Sequence, residues 1–202
     1  MQMECKLLIL LFLMFFVFPK FECNDEDCPI ILTRSQWRAV SGTSVFYQTI
    51  PIDKIIIIWF EGGTCLSSYK CRRLVKDLQQ EHISKFMMPD IAYSFLIDDN
   101  GFIYEGTGWY RRGFHTNGHN RNSLGIAFIG SSESQTIPAE EALLAFEELI
   151  ECGIQAGLIS NDYKLYAQRQ LCYQSNNPGE DFFSIIQELP NWSSKGDLPT
   201  TD

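Results

Sequence analysis

The side chains that could do chemistry are few and are spread thinly along this sequence. Histidine occurs three times, at His82, His115 and His119, and the seven cysteines include no Cys-x-x-Cys pair. A strongly apolar run, "IIIIWFEGG", delivers two aromatic rings and the carboxylate of Glu61 to its end. A zinc hydrolase needs about three histidine, cysteine or carboxylate ligands and one open position for water. One carboxylate beside one histidine would hold zinc weakly, so the residues alone assemble no obvious catalytic centre.

The cysteines favour disulfide bonds over a metal cluster. Cys65 and Cys71 are six residues apart and flank "LSSYK", which suits a small local loop. Cys28 and Cys152 are candidates for a long-range bridge. Disulfides are the default in a secreted chain. Clustering on zinc is the rival interpretation, and the scarcity of histidine makes it weaker.

The N-terminal segment is typical of a secretory signal. Its apolar core, Leu7–Phe18, has twelve residues, a length that fits a signal peptide and is short for a bilayer span. We therefore expect residues 1–23 to be a signal, residues 24–29 to be a polar leader, and the protein to be secreted with no membrane span after signal removal. No small-x-small cleavage site is visible, so an uncleaved anchor remains the alternative. Cys23 and Cys172 stay unassigned: they pair with each other, or one is lost with the signal.

The composition limits the partners of the mature chain. The formal net charge of −9 argues against binding to the phosphate backbone of nucleic acids, and it is most simply explained by solubility. The triplet "NWS" makes Asn191 a candidate for N-glycosylation. Residues 193–202 are expected to form a tail outside the folded domain.

The elements that must position these residues alternate between strands and helices. The continuous apolar character of the isoleucine run predicts a strand that is covered on both faces. The loop at 107–123 is long and rich in glycine, asparagine and histidine, and such loops often carry function. The order of elements predicts an α/β fold, a single domain with a central mixed β-sheet flanked by three main helices. Strands are predicted at 52–60, 91–98, 102–106, 124–130 and 163–170, and helices at 67–84, 137–158 and 178–189.

Several motifs resemble the peptidoglycan recognition protein family in their order and spacing. They are "DIAYSFLIDDNGFIYEGTGW", "GFHTNGHNRNSLGIAFIG", "ECGIQAGL" and "PNW", and the resemblance spans residues 30–192. That family is similar to the phage-type zinc N-acetylmuramoyl-L-alanine amidases. The resemblance implies a mixed sheet with three main helices and a groove on one face. It also implies the small-loop disulfide Cys65–Cys71 and a bridge Cys28–Cys152.

The resemblance further implies how a catalytic zinc ion would be held, by two histidines and a cysteine. The first ligand position, at the end of the first strand, falls on Trp59, and the third, just before a Pro-Gly pair, falls on Asn177. The second is kept as His115, while a further family histidine in the last strand is replaced by Gln168. Because an indole and carboxamides suit zinc poorly, the resemblance implies a non-enzymatic member without a cofactor. An active zinc amidase is the least favoured alternative.

The family groove implies a second set of residues, which would bind ligand through aromatic faces and polar edges. This set is His82, Tyr93, His115, Asn120, Trp59 and Trp109. An ordinary structural role competes in several cases. His82 could be a surface histidine, Tyr93 a core aromatic, and His115 a loop histidine bonded to the backbone.

The resemblance leaves the preferred wall type open. Family members that prefer diaminopimelate-type stems carry a Gly-Trp pair and an arginine that can pair the extra carboxylate. Met87 and Met88 stand at the pair here, and Thr107 stands in place of the arginine. Arg111 and Arg112 are close in sequence and could compensate.

Taken together, these features predict a secreted, non-catalytic recognition protein of innate immunity. It would bind peptidoglycan or muropeptide stems and pass the signal to other recognition or signalling proteins. In the alternative, Trp59, Phe60, Met87 and Met88 block the groove, and the protein is a co-receptor or decoy that binds other recognition proteins.

Overall fold

Strands and helices alternate along the chain, as the sequence predicts. The structure, a computed structural model, describes residues 28–63, 65, 67–130, 137–172 and 175–194. The proposed signal, Cys23 and residues 195–202 lie outside the described residues. The strands are β1 (Ile31–Leu32), β2 (Ile52–Glu61), β3 (Phe95–Ile97), β4 (Ile103–Glu105), β5 (Ser123–Gly130) and β6 (Ile159–Ala167). The helices are α1 (Ser68–Ser84), α2 (Glu140–Gln155), α3 (Gln168–Leu171) and α4 (Glu180–Glu188).

The described strands form one mixed sheet in the order β1-β4-β3-β5-β2-β6. Strands β3, β5, β2 and β6 run parallel, β4 returns antiparallel to β3, and β1 pairs parallel with β4 at the edge. The isoleucine strand β2 has neighbours on both sides, and Ile55–Ile58 are fully or almost fully buried. The predicted fold, one mixed sheet with three main helices, is therefore confirmed.

The two faces of the sheet carry separate hydrophobic clusters. Ile56 and Ile58 of β2 point to the α1 side, where they join Val75 of that helix. Ile55 and Ile57 point to the other side, where α2 and α4 pack. We call these sides the α1 face and the α2/α4 face. Since successive residues of a strand point to opposite faces, the strand builds both clusters at once.

The three longer helices follow the signals in the sequence. Both α2 and α4 begin with two acidic residues, and negative charges are stabilised there by the positive end of the helix dipole. Each of the three buries one side against the sheet, with Leu78 as an example from α1 and Leu149 from α2. Within the described part of the chain, none of the helices has the length and apolar character needed to cross a bilayer.

Both predicted disulfides are present. Cys28 is bonded to Cys152 of α2, and Cys65 to Cys71 of α1. The thiol of Cys172 is free and half-buried. The long-range bridge therefore fixes the segment just before β1 onto α2.

The predicted strand at 91–98 is shorter in the structure, where only Phe95–Ile97 is regular. The preceding backbone has other partners. The amide of Ala92 donates to Nδ1 of His82 at 3.0 Å, and its carbonyl accepts from the amide of Phe114 at 2.8 Å. The apolar pattern of this segment comes from burial, and the loop takes up hydrogen bonds that a strand neighbour would otherwise supply.

Candidate functional site

Three rings lie side by side on the α1 face. Tyr93, which precedes β3, has its ring centroid 5.5 Å from that of His82 on α1 and 6.4 Å from that of Phe60 near the end of β2. The ring of His82 also lies 6.1 Å from Phe86. Edge-to-face and tilted contacts of this kind suit aromatic quadrupoles. We call Phe60, His82 and Tyr93 the ring cluster.

His82 holds the cluster to the backbone beside it. Its Nδ1 accepts the amide hydrogen of Ala92, so this nitrogen carries no proton. Burial lowers the pKa of His82 because it disfavours the charged imidazolium, while the carboxylate of Glu81 acts in the opposite direction. His82 is 6% exposed, so the alternative of a surface histidine is wrong.

Tyr93 and Phe60 are the half-buried members of the cluster, and Tyr93 keeps a neutral phenol. Burial raises the pKa of Tyr93 to about 12 because the phenolate would be poorly solvated. At physiological pH the hydroxyl can therefore donate a hydrogen bond as well as accept one. A ring face combined with a hydroxyl donor is suited to contact with a peptide or sugar.

The imidazole of His115 packs closely against two glycines, Gly113 and Gly125. A Cβ atom at Gly125 of β5 would clash with the imidazole, and one at Gly113 would lie 2.8 Å from its Cδ2 atom. The Nδ1 atom lies 3.1 Å from Oγ1 of Thr116. Neither glycine was predicted from the sequence to shape the site, although a glycine inside a buried strand signals the close approach of another group.

The loop around His115 is fixed by carboxamides. Oδ1 of Asn120 accepts the amide hydrogen of Thr116 at 2.8 Å. Nε2 of Gln168, the first residue of α3, donates to the backbone oxygen of His115 at 2.7 Å. Both His115 and Asn120 are less than one-tenth exposed. The structure thus brings Tyr93, His82, His115 and Asn120 to the α1 face, where the last three are mostly buried.

The two tryptophans expected in the groove lie on the other side of the sheet. The Trp59 ring packs edge-on against Phe182 of α4 at 5.7 Å, and Trp109 packs against Phe95 at 4.6 Å. Both belong to or pack on the α2/α4 cluster. The expectation that they line one groove with Tyr93 is corrected. Trp59 follows the alternation of β2 and points the same way as Ile57.

The proposed block of the groove is corrected in part for the same reason. Trp59 is on the wrong face, and Met87 is 82% exposed with a φ of 56°. Met88 contributes its amide hydrogen to the backbone oxygen of His82 at 2.9 Å. Of the four residues suggested to block the groove, Phe60 is the one that belongs to the ring cluster, through its contact with Tyr93.

Asn177 completes the hydrogen bonding of β2. Pairing with β6 ends where Ile57 faces Ala167. Beyond that point, Oδ1 of Asn177 accepts from the amide of Trp59 at 2.7 Å, and Nδ2 donates to the Trp59 oxygen at 2.5 Å. The carboxamide therefore stands in for a strand neighbour.

One group of potential metal donors occurs among the described residues. It consists of Cys65, Cys71 and Asp98. The two sulfur atoms are joined in a disulfide, and the carboxylate of Asp98 accepts the hydroxyl hydrogen of Tyr104 at 2.8 Å. Cysteine binds zinc as a thiolate, and a disulfide sulfur is not one, so these three residues do not form a zinc site.

Arg111 is committed to the structure around the site. Its guanidinium donates to the backbone oxygens of Gly106 at 3.2 Å and Thr107 at 3.1 Å, and lies 3.4 Å from Oδ2 of Asp90. Burial is the main reason that the pKa of Arg111 is lowered, with repulsion from Arg34 second and opposed by Asp90 and Glu105. These contacts hold the Arg111 guanidinium against the backbone of Gly106 and Thr107 and against Asp90.

Comparisons with known proteins agree with this architecture. The profile of a family described as N-acetylmuramoyl-L-alanine amidase matches residues 48–180. Peptidoglycan-recognition protein SA of Drosophila melanogaster is 37% identical over 171 residues, which cover 85% of this chain and 83% of that protein. The solved structure of the Drosophila SA protein has a TM-score of 0.79 at 38% identity and covers 83% of this chain and 96% of that one.

Two solved complexes are also similar. Recognition protein LE in complex with tracheal cytotoxin, a monomeric diaminopimelic acid-type peptidoglycan, has a TM-score of 0.77 at 34% identity and covers 81% of this chain and 95% of that one. The ectodomain complex of recognition proteins LCa and LCx with the same toxin has a TM-score of 0.77 at 33% identity. The match covers 82% of this chain and 99% of that one. With the amidase profile over most of its length and a curated relative above one-third identity, this chain belongs to the peptidoglycan recognition protein family.

Proposed function

We propose that this protein is a secreted, non-catalytic recognition protein of innate immunity that binds peptidoglycan or muropeptide stems on its α1 face. The observation that carries the proposal is the ring cluster beside the His115 loop, in a fold whose relative LE is solved with a peptidoglycan fragment. Sugars and peptides are recognised by aromatic faces with a few fixed polar groups.

The residues have different roles in this proposal. Tyr93 makes the direct contact, because it is half-buried and its phenol stays protonated. His82, His115 and Asn120 offer only small exposed edges and mainly hold Tyr93 and the loop in place. Trp59 and Trp109 take no direct part because they pack on the opposite face.

The absence of hydrolysis is proposed from what the candidate ligand positions do instead. The Trp59 indole packs on Phe182, and the Asn177 carboxamide is used by the Trp59 backbone. Nε2 of Gln168 is bound to the His115 oxygen. These groups do not fit a zinc ion, since indole offers no lone pair and carboxamides bind zinc poorly. The family name alone would not separate a binder from an amidase.

The binding proposal is tested by sedimentation with insoluble peptidoglycan of both wall types. We expect the wild-type protein to co-sediment with at least one of them and Tyr93→Ala to bind about tenfold more weakly, because an aromatic contact and a hydrogen bond are lost. Tyr93→Phe separates the ring from the hydroxyl. Tyr47→Ala is the matched control, since that tyrosine is 80% exposed and lies outside the cluster. Failure of the wild-type protein to bind either wall would contradict the proposal.

The non-catalytic part has a separate test. Purified protein, dialysed against zinc and then against buffer, is expected to retain far less than one ion per chain and to release no peptide from muropeptides. Stoichiometric zinc together with turnover would overturn this part while leaving the binding result intact.

The proposal extends to protein partners and to processing of the chain. The solved complex of two recognition ectodomains supports complex formation with other recognition proteins after ligand binding. The alternative role as a co-receptor or decoy would show as partner capture without peptidoglycan binding. Asn191 is exposed, which supports glycosylation of its sequon and is checked by mass shift after glycosidase treatment. N-terminal sequencing of secreted protein tests the signal at residues 1–23.

A further inference from the structure

A basic pocket of about 400 Å³ lies on the flank of α1 that faces the turn after β1. Four cationic side chains line it, Arg38, Arg72, Arg73 and Lys76, and Asp77 is the one carboxylate among its lining residues. The pocket thus has an excess of positive charge in a protein whose formal net charge is −9. Such a local reversal of sign marks a place where an anion is favoured over the rest of the surface.

The charges in the pocket are not balanced within the helix. Arg72 and Lys76 are four residues apart on α1, a spacing at which like charges repel each other. Arg73 and Asp77 are 3.7 Å apart and both are exposed, so their attraction is weak. An anion bound between the cations would relieve the repulsion.

One arginine is already oriented. Nε and Nη2 of Arg72 donate to Oγ of Ser68 at 3.1 and 2.7 Å. This contact restricts the guanidinium before any ligand arrives, so less side-chain freedom is lost on binding.

A second arginine is placed by an unusual backbone. Arg38 has a φ of 61°, in the left-handed region that glycine adopts most freely. The turn is closed by hydrogen bonds from the amide of Arg38 to the Ser35 oxygen at 3.1 Å and from the amide of Ala39 to the Arg34 oxygen at 2.9 Å. Strained backbone conformations occur often at ligand-binding sites.

We propose that this pocket is a second binding site and that its ligand is a compact organic phosphate. A phosphate monoester carries close to two negative charges and three acceptor oxygens, which match a group of four cationic side chains better than a single carboxylate does. Tyr69, 75% exposed on the rim, offers a ring face to the organic part of the ligand. The site is separate from the ring cluster: the lining residues include neither Tyr93 nor Phe60, and Leu74, on another side of α1, lies near Phe60.

The test is isothermal titration of the full mature chain with glycerol 3-phosphate, inorganic phosphate and acetate at constant ionic strength. We expect saturable binding of glycerol 3-phosphate, and a loss of about tenfold or more in the variant Arg72→Gln/Lys76→Gln, since charge-assisted hydrogen bonds disappear. Lys70→Gln is the matched control because this exposed lysine is on the same helix but does not line the pocket.

A further variant separates binding from folding. Arg38→Gly removes a charge and also relieves the left-handed backbone, so we expect a higher melting temperature together with weaker phosphate binding. Equal affinity for inorganic phosphate and glycerol 3-phosphate would support the phosphate site and assign recognition to the phosphate group alone. The proposal would be overturned if glycerol 3-phosphate showed no saturable binding or if acetate bound equally well. It would also be overturned if Lys70→Gln lost as much affinity as Arg72→Gln/Lys76→Gln. The double variant should still sediment with peptidoglycan as the wild-type protein does. Failure of the phosphate proposal can therefore be told apart from failure of the peptidoglycan proposal.

Discussion

The two faces of the sheet are stabilised in different ways. The α2/α4 face is closed by apolar packing, with Phe182 in edge-on contact with both Trp59 and Phe128. The α1 face contains buried polar side chains that are bonded to particular backbone groups, among them Gln79 and His82. Apolar packing tolerates many arrangements, whereas a buried polar group is stable only with its partner in place. The face that carries the candidate site is therefore the one with fixed geometry.

Two carboxamides show how this fixing works. Gln79 accepts from the amide of Val40 and donates to its oxygen, both at 2.9 Å. Asn177 does the same for Trp59. Each side chain satisfies both polar groups of one residue where no strand is available, so irregular segments are held as firmly as a sheet edge.

The strongest test of the comparison is a cavity on the apolar face. Phe182 is fully buried, so we expect Phe182→Ala to lower the free energy of unfolding by about 3–5 kcal/mol in urea titrations. Phe183→Ala, at a half-buried neighbour, should cost clearly less. Peptidoglycan binding per folded molecule should not change. A selective loss of binding in Phe182→Ala would show that the faces are not independent.

On the α1 face, the largest expected effect is at Asp90. Its carboxylate is buried, lies 2.9 Å from Nη2 of Arg34 and accepts from Nε2 of Gln79 at 2.7 Å. Asp90→Ala removes a buried carboxylate from the half-buried guanidinium of Arg34, which keeps its bonds to the backbone oxygens of Gly106 and Val40, and from Gln79. We therefore expect a loss of about 3 kcal/mol in the free energy of unfolding. Asp77→Ala removes an exposed carboxylate and should change stability by less than about 0.5 kcal/mol. Similar losses of unfolding free energy in Asp90→Ala and Asp77→Ala would contradict the view that buried polar partners stabilise this face.

Asn177 gives an intermediate prediction. Asn177→Ala deprives the Trp59 backbone of both hydrogen bonds, and we expect a cost of about 1–3 kcal/mol by chemical denaturation. Asn176→Ala, at an exposed neighbour, is the control and should be nearly neutral. An unchanged stability in Asn177→Ala would mean that water replaces the carboxamide without loss.

The smallest effect is a pH dependence from His82. Its pKa is lowered in the folded state, so the unfolded chain binds a proton more readily. The contribution of His82 is present above the unfolded pKa of about 6.5 and is lost as pH falls through the folded pKa. Urea titrations from pH 7.5 to 5 should show this loss in the wild-type protein, and a flatter profile in His82→Gln. Parallel profiles would contradict the assignment.

The sequence predicted the architecture well because its signals were local. Four consecutive isoleucines indicate a strand covered on both sides, and the helices carry their own periodicity and acidic first turns. For the same reason it could not place Trp59. In a strand that is apolar on both faces, alternation does not reveal which face is which.

The candidate site was harder to predict because it depends on contacts between distant segments. Tyr93 could be chosen from the resemblance, but its position beside Phe60 and His82 follows from a break in a predicted strand. The role of Asn177 as a substitute strand neighbour has no signal in its own sequence context. Gly125 of β5 offered a local clue, since it leaves room for the His115 ring.

The bridge between Cys28 and Cys152 has a consequence for presentation of the protein. Because Cys28 is bonded to Cys152 of α2, the backbone at Cys28 lies on the α2/α4 side. An N-terminal tether to a bead, a sensor chip or a membrane would therefore turn the opposite side outward. Immobilisation through that end should leave Tyr93 pointing to solution, whereas coupling through lysines of α1 should hide it.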